Sequence, residues 1–289
     1  MPTMLEGDWT ARTVEAGALW LDGGSMFGSV PKPLWNRTNP ADERNRIRLA
    51  MRTLLLEGHG RRVLVDTGLG DKSDERFRDL FRVEDSPSLA ASLAAAGLTP
   101  DDITDVILTH LHFDHAGGAT KRVGDRLVPA FPNARYWIQR RNWESARTPN
   151  PRERASYLPE HFEPLAQAGV IEWVDGAAEP WPGLQLFVAD GHTRGQQLVR
   201  VESGGQTLYY VADLIPTAAH VRIPFVMGYD VAAIETMTEK RSLLERAVRE
   251  GAWISLEHDP EVAFARPAVK ADDFTWAERI AGGLPALTP

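Results

Sequence analysis

The segment Thr109–Gly118, THLHFDHAGG, places three histidines and an aspartate within six positions. It directly follows Thr104–Leu108 (TDVIL), a short apolar run that reads as a buried strand. Three histidines with an aspartate in six positions at a strand end point to a shared metal site rather than to separate hydrogen-bonded core or surface histidines. His110 and His112, two apart at a strand end, can aim their rings the same way, and Gly117 and Gly118 are expected to let the backbone bend sharply behind them. Neutral imidazole and carboxylate suit Zn, Mn, Fe or Co. The chain has no cysteine, which excludes thiolate ligands and disulfides.

One ion needs three or four ligands, and a bridged pair about seven. Three further residues stand just past predicted strands: His192 after LQLFVADG, Asp213 after TLYYVA and His258 after WISLE. Strand ends that converge on one edge of a sheet sandwich make a good site. The other predicted strands are Ile47–Glu57, Arg62–Asp66 with a turn at Gly58–Gly60, Ala134–Ile138, Val170–Val174, Leu184–Val188, Gln197–Val201, Thr207–Val211 and, last in the chain, Trp253–Leu256. Helices are expected over Ser86–Ala96 (capped by Gly97), Asn142–Arg147, Glu160–Ala168 and Glu235–Glu250. Strands followed by helix, in two halves without a Pro/Gly/Ser linker, predict two sheets with helices outside, in one domain over residues 1–289.

HLHFDH resembles the HxHxDH signature of the metallo-β-lactamase superfamily, and GHTRG, VADLIP and LEHD resemble its remaining ligand motifs, in its order. The resemblance covers nearly the whole chain. It implies an α/β (α+β) fold, the αββα sandwich of two mixed β-sheets flanked by helices. It also implies two divalent ions, zinc first among them: His110, His112 and His192 on one, Asp114, His115 and His258 on the other, and Asp213 bridging. Asp66, in VDTG, resembles the aspartate that orients a ligand histidine. The chemistry implied is hydrolysis by a metal-bridging hydroxide, with Asp114 passing a proton to the leaving group. His59 and His161 read as ordinary surface residues.

The text around the ligands narrows the substrate. HTRGQQ departs from the HTPGH of glyoxalase II-type thioesterases, and the stretch after His258 is too short for their glutathione-binding helical domain. RNA-processing members need a basic groove, whereas this chain carries a net charge of −8. Leu19–Trp35 (LWLDGGSMFGSVPKPLW) is apolar yet broken by Gly and Pro, and reads as a loop at about 19–35 rather than a core strand or helix. Met26, Phe27, Leu34 and Trp35 are its candidates for a hydrophobic pocket mouth. This stretch, with FPNARYW, ADLIPTAAH and VMGYD, resembles the quorum-quenching lactonase branch, which implies an N-acyl homoserine lactone or related lactone as substrate. A phosphotriesterase or arylesterase on the same metals is the alternative. The lactonases that it resembles carry a tyrosine where this chain has Pro216, which leaves Tyr229, His220 or neither to assist at the carbonyl.

The acidic balance is a poor prior for nucleic acid. No apolar run approaches the ~20 residues that span a bilayer, and MPTMLEGDWTARTVEAG lacks a signal-peptide pattern, so a cytoplasmic protein is expected. The apolar loop can pack across a homodimer as readily as over its own site.

Overall fold

Alternation along the strands sets the layers, because successive side chains of a strand point to opposite faces. The computed structural model describes residues 2–282 of the domain expected over 1–289. The first half supplies β1 (Thr3–Leu5), β2 (Trp9–Asp22), β3 (Arg46–Gly58), β4 (Arg61–Val65), β5 (Asp105–Ile107), β6 (Thr120–Val123), β7 (Arg126–Pro129), β8 (Arg135–Gln139) and β9 (Ile171–Val174). The second supplies β10 (Ala178–Trp181), β11 (Leu184–Ala189), β12 (Gln196–Ser203), β13 (Gln206–Tyr210), β14 (Trp253–Ser255), β15 (Val262–Lys270) and β16 (Asp273–Ala281).

One sheet runs β1-β2-β3-β4-β5-β8-β9 and the other β10 to β16 in sequence, while β6 and β7 form a separate hairpin. Both large sheets are mixed: β4-β5-β8-β9 and β13-β14 are parallel, and their other pairs antiparallel. Leu54, Leu56, Val63 and Val65 meet Val199, Val201, Leu208 and Tyr210 between the sheets. The alternate residues Leu55 and Leu64 face outward, under Leu93 of helix Leu89–Ala95 and Leu165 of helix Glu163–Gln167. On the far side Tyr209 packs with Leu243, Leu244 and Ala247 of helix Ala233–Glu250, which stops at Gly251 in the left-handed region, φ 61°. The αββα order expected from the sequence is therefore present.

Three expectations need correction. Leu19–Asp22 is the end of strand β2, not loop, because Leu19 and Leu21 pair with Leu49 and Ile47 of β3. Beyond it come two short helices, Gly23–Phe27 and Lys32–Trp35. Trp253–Ser255 is not the last strand: β15 and β16 follow, with Pro267 tolerated where the register shifts between Arg266 and Pro267. Gly117 adopts an ordinary right-handed conformation, φ −59°. The need for glycine here is close approach: a Cβ would stand 2.1 Å from the Leu69 carbonyl oxygen at Gly117, and 2.2 Å from that of Thr67 at Gly118.

Candidate metal centre

Parallel pairing puts the C-terminal ends of β4 and β5 on one edge, and those of β13 and β14 on one edge of the other sheet. Asp66, His110, Asp213 and His258 follow those four strands, and His192 follows β11, which runs in the same direction as β13. Two of these turns are strained. Asp66 has φ 61° and Ala212, just before Asp213, has φ 43°, where non-glycine residues are uncommon.

The seven ligand candidates are all buried and lie in two adjoining groups. His110, His112, His192 and Asp213 form one group, and Asp114, His115 and His258 a second. Asp213 lies between them, with Oδ2 3.0 Å from His192 Nε2 and Oδ1 3.1 Å from His258 Nε2.

The inward nitrogens face one another. His110 Nε2 is 3.1 Å and His192 Nε2 3.3 Å from His112 Nδ1, and His258 Nε2 is 3.2 Å from His115 Nε2. A neutral imidazole has one N–H. On four of the rings that hydrogen has an acceptor on the opposite side. His110 Nδ1 faces Thr109 Oγ1 at 3.1 Å, His192 Nδ1 faces Asp230 Oδ1 at 3.0 Å, His115 Nδ1 faces Asp66 Oδ2 at 3.1 Å and His258 Nδ1 faces the Ala50 carbonyl at 2.7 Å. Lone pairs then point at lone pairs, an arrangement that a cation resolves. Tetrahedral zinc with nitrogens at about 2.0–2.1 Å sets them about 3.3 Å apart, close to the spacing here. Among the described residues Asp213 Oδ1, though close to His258 Nε2, has no hydrogen-bond partner. The donor set fits divalent metal.

Without metal the electrostatics are those of crowded imidazoles around carboxylates. Burial pushes His110 well below its ordinary value. Burial opposes the charge on His192 and His258 too, but Asp213 outweighs it and holds them at about 10 and about 9. Against the cost of burial, the imidazoles of His192, His258 and His115 hold Asp213 well below the usual carboxylate range.

The groups that orient the ligands were only partly legible. Asp66 was expected, and it accepts from Thr109 N and Oγ1, each at 2.7 Å. Asp230, 3.0 Å from His192 Nδ1, was not foreseen, nor were two buried acids that stand near the rings without a hydrogen bond to them among the described residues, Glu257 (Oε2 3.2 Å from His115 Nδ1) and Glu153 (Oε1 3.8 Å from His112 Nε2). Asp230 closes the VMGYD segment and Glu257 precedes His258, so both lay within quoted motifs. Nothing in PRERAS marks Glu153 as the buried acid among its neighbours.

A cavity of about 340 Å³ opens onto Asp114, His112, His192, Asp213 and His258. Leu21, Met26, Leu49, Phe81, Phe113 and Met227 give it an apolar wall. Met26 and Tyr229 line it. Phe27 and Trp35 do not; they are fully buried behind it, stacked with ring centroids 5.4 Å apart. Leu34 is 47% exposed and lies outside the lining. His220 is buried away from it: Nε2 donates to the Met26 carbonyl at 2.8 Å, Nδ1 accepts from Thr217 Oγ1 at 2.8 Å, and the ring stacks on Phe27 at 4.5 Å. His161, expected at the surface, is 1% exposed. His59 is exposed in its turn, against Trp9.

Comparison with known proteins agrees with this geometry. Residues 52–258 match the metallo-beta-lactamase superfamily. An N-acyl homoserine lactonase of Bacillus cereus is 29% identical over 230 residues, which is 75% of this chain and 84% of the relative. A probable metal-dependent hydrolase from Staphylococcus aureus superposes with a TM-score of 0.90 at 29% identity, covering 98% of this chain and all (100%) of that one. A dizinc quorum-quenching lactonase, at 21% identity, shares the fold with a TM-score of 0.78 over 100% of this chain and 98% of its own. The match over β3 to His258 and the buried histidine–aspartate clusters lead to one assignment: this chain is a metal-dependent hydrolase that belongs to the metallo-β-lactamase superfamily.

Proposed function

We propose that this chain is a two-metal lactonase that opens acyl lactones of the N-acyl homoserine type. The observation that carries the reading is the position of Asp213, with one oxygen toward each histidine group, at the floor of a cavity with an apolar wall. His110, His112 and His192 would hold one ion, Asp114, His115 and His258 the other, and Asp213 both. When bound, such a pair lowers the pKa of water toward neutrality and acts as a Lewis acid at the carbonyl.

The chain's own residues do the rest. Asp66, Asp230, Thr109 and the Ala50 carbonyl fix the ring orientation of the ligand histidines. The apolar wall seats an acyl tail and keeps water from it. Hydrolysis adds water across the ring C–O bond and gives a hydroxy acid. Asp114 faces the cavity, and it carries a proton to the ring oxygen as that bond breaks. Tyr229 stands at the cavity with its hydroxyl beside Ser25, so it is the candidate donor to the acyl carbonyl in place of the residue that Pro216 cannot supply. His220, with both nitrogens engaged, is a support for Met26.

The N-acyl homoserine lactonase of B. cereus, 29% identical, also supports the substrate class. A panel of acyl lactones assayed beside a phosphotriester and an aryl ester tests the reading. Ring opening as the main activity is expected. Turnover of only the phosphotriester or aryl ester overturns it in favour of the phosphotriesterase or arylesterase alternative.

A further inference from the structure

Arg152 is the one lysine or arginine among the described residues that line the metal-site cavity. Its Nη2 donates to the carbonyls of Gly228 and Asp230, the latter at 3.2 Å, and Gly228 itself lines the cavity. The guanidinium is thus fixed against the cavity wall by one nitrogen. Its Nε and Nη1 have no hydrogen-bond partner among the described residues, and no carboxylate there lies within ion-pair reach of it. The neighbouring acid, Glu153, turns inward and accepts from Thr193 Oγ1 instead. A fork of donors held in place, but only partly used, is built for a planar or charged acceptor.

The rest of the lining is largely apolar (Leu21, Met26, Leu49, Phe81, Phe113 and Met227), together with carboxylates and imidazoles that belong to the candidate metal groups. A substrate with only an alkyl tail would leave the guanidinium without a use. Resting on the lactonase reading, we infer that Arg152 is a specificity-determining residue: it donates to an acceptor oxygen on the lactone's side chain, so the site prefers lactones that carry an amide or keto oxygen over plain alkyl lactones.

The test compares N-decanoyl homoserine lactone with an alkyl γ-lactone of similar length, in the metal-loaded wild type and in Arg152→Met, with metal content measured for both proteins. A charge-assisted hydrogen bond predicts a loss in kcat/KM of about tenfold to a hundredfold for the acyl lactone, chiefly through KM. The alkyl lactone changes by less than about twofold and metal content stays the same. Equal loss on both lactones assigns Arg152 to holding the Gly228–Asp230 backbone and overturns the inference, as does an unchanged kcat/KM for the acyl lactone. Wild-type protein that opens neither lactone overturns the lactonase reading itself, and the inference with it.

Discussion

Asp230 Oδ1 stands 3.0 Å from His192 Nδ1, on the opposite side of the ring from the Nε2 that meets Asp213. That contact keeps the proton on Nδ1 and leaves the Nε2 lone pair free for metal. Asp230 Oδ2 also accepts from Met227 N at 3.1 Å, tying the cavity wall to the ligand ring. Asp230→Ala is therefore expected to weaken metal binding by about 10- to 100-fold. Competition against a chromophoric chelator measures it, and wild-type affinity in the variant would remove Asp230 from the site.

His161 supplies a pH dependence independent of the metal groups. Burial, and then the nearby Lys72 charge, push its imidazole from 6.5 to about 3. A histidine with a lowered folded pKa binds its proton more readily in the unfolded chain. The resulting penalty is absent above about pH 6.5 and grows as pH falls toward 3. With each unit worth ~1.4 kcal/mol, His161→Gln should lose ~2.5 kcal/mol less stability than wild type between pH 7 and pH 4.5. Urea unfolding of both metal-stripped proteins at the two pH values measures this. Parallel pH slopes for the two proteins would show that His161 carries no such penalty.

The segment after β2 separates two kinds of apolar residue that look alike in sequence. Phe27 is fully buried between Trp35 and His220, whereas Leu34 is 47% exposed. Phe27→Ala is expected to cost ~3–5 kcal/mol through the cavity it leaves. Leu34→Ser should change stability by no more than ~0.5 kcal/mol and leave the KM for lactones as it was. Thermal unfolding and a lactone assay on the pair check this; a KM change in Leu34→Ser would return that residue to the pocket.

The candidate ligand residues were legible because metal binding needs particular atoms, and few residue types carry them. His110, His112, Asp114, His115, His192, Asp213 and His258 stand out as imidazoles and carboxylates after apolar strands. Strand β2 was illegible for a physical reason. Glu15 pairs directly across from Arg52, with Arg52 Nε 2.7 Å from Glu15 Oε1, and both are buried. A buried ion pair breaks the apolar alternation that marks a strand. The buried carboxylates Glu153 and Glu257 are not legible because burial of an acid is decided by tertiary packing, which leaves no local pattern. Leu19–Trp35 supplies only Leu21, Ser25 and Met26 to the pocket wall, and Met227 comes from the VMGYD segment, while Leu49, Phe81 and Phe113 reach it from other parts of the chain.

In the proposed function two ions, held by the two histidine groups that Asp213 joins, open a lactone ring. The most direct test is a titration of metal-stripped protein with zinc, following ring opening of an acyl homoserine lactone and bound zinc together. Activity that rises to a plateau at two equivalents of tightly bound zinc per chain is the predicted result. A plateau at one equivalent, or two bound equivalents without lactone opening, would contradict the claim.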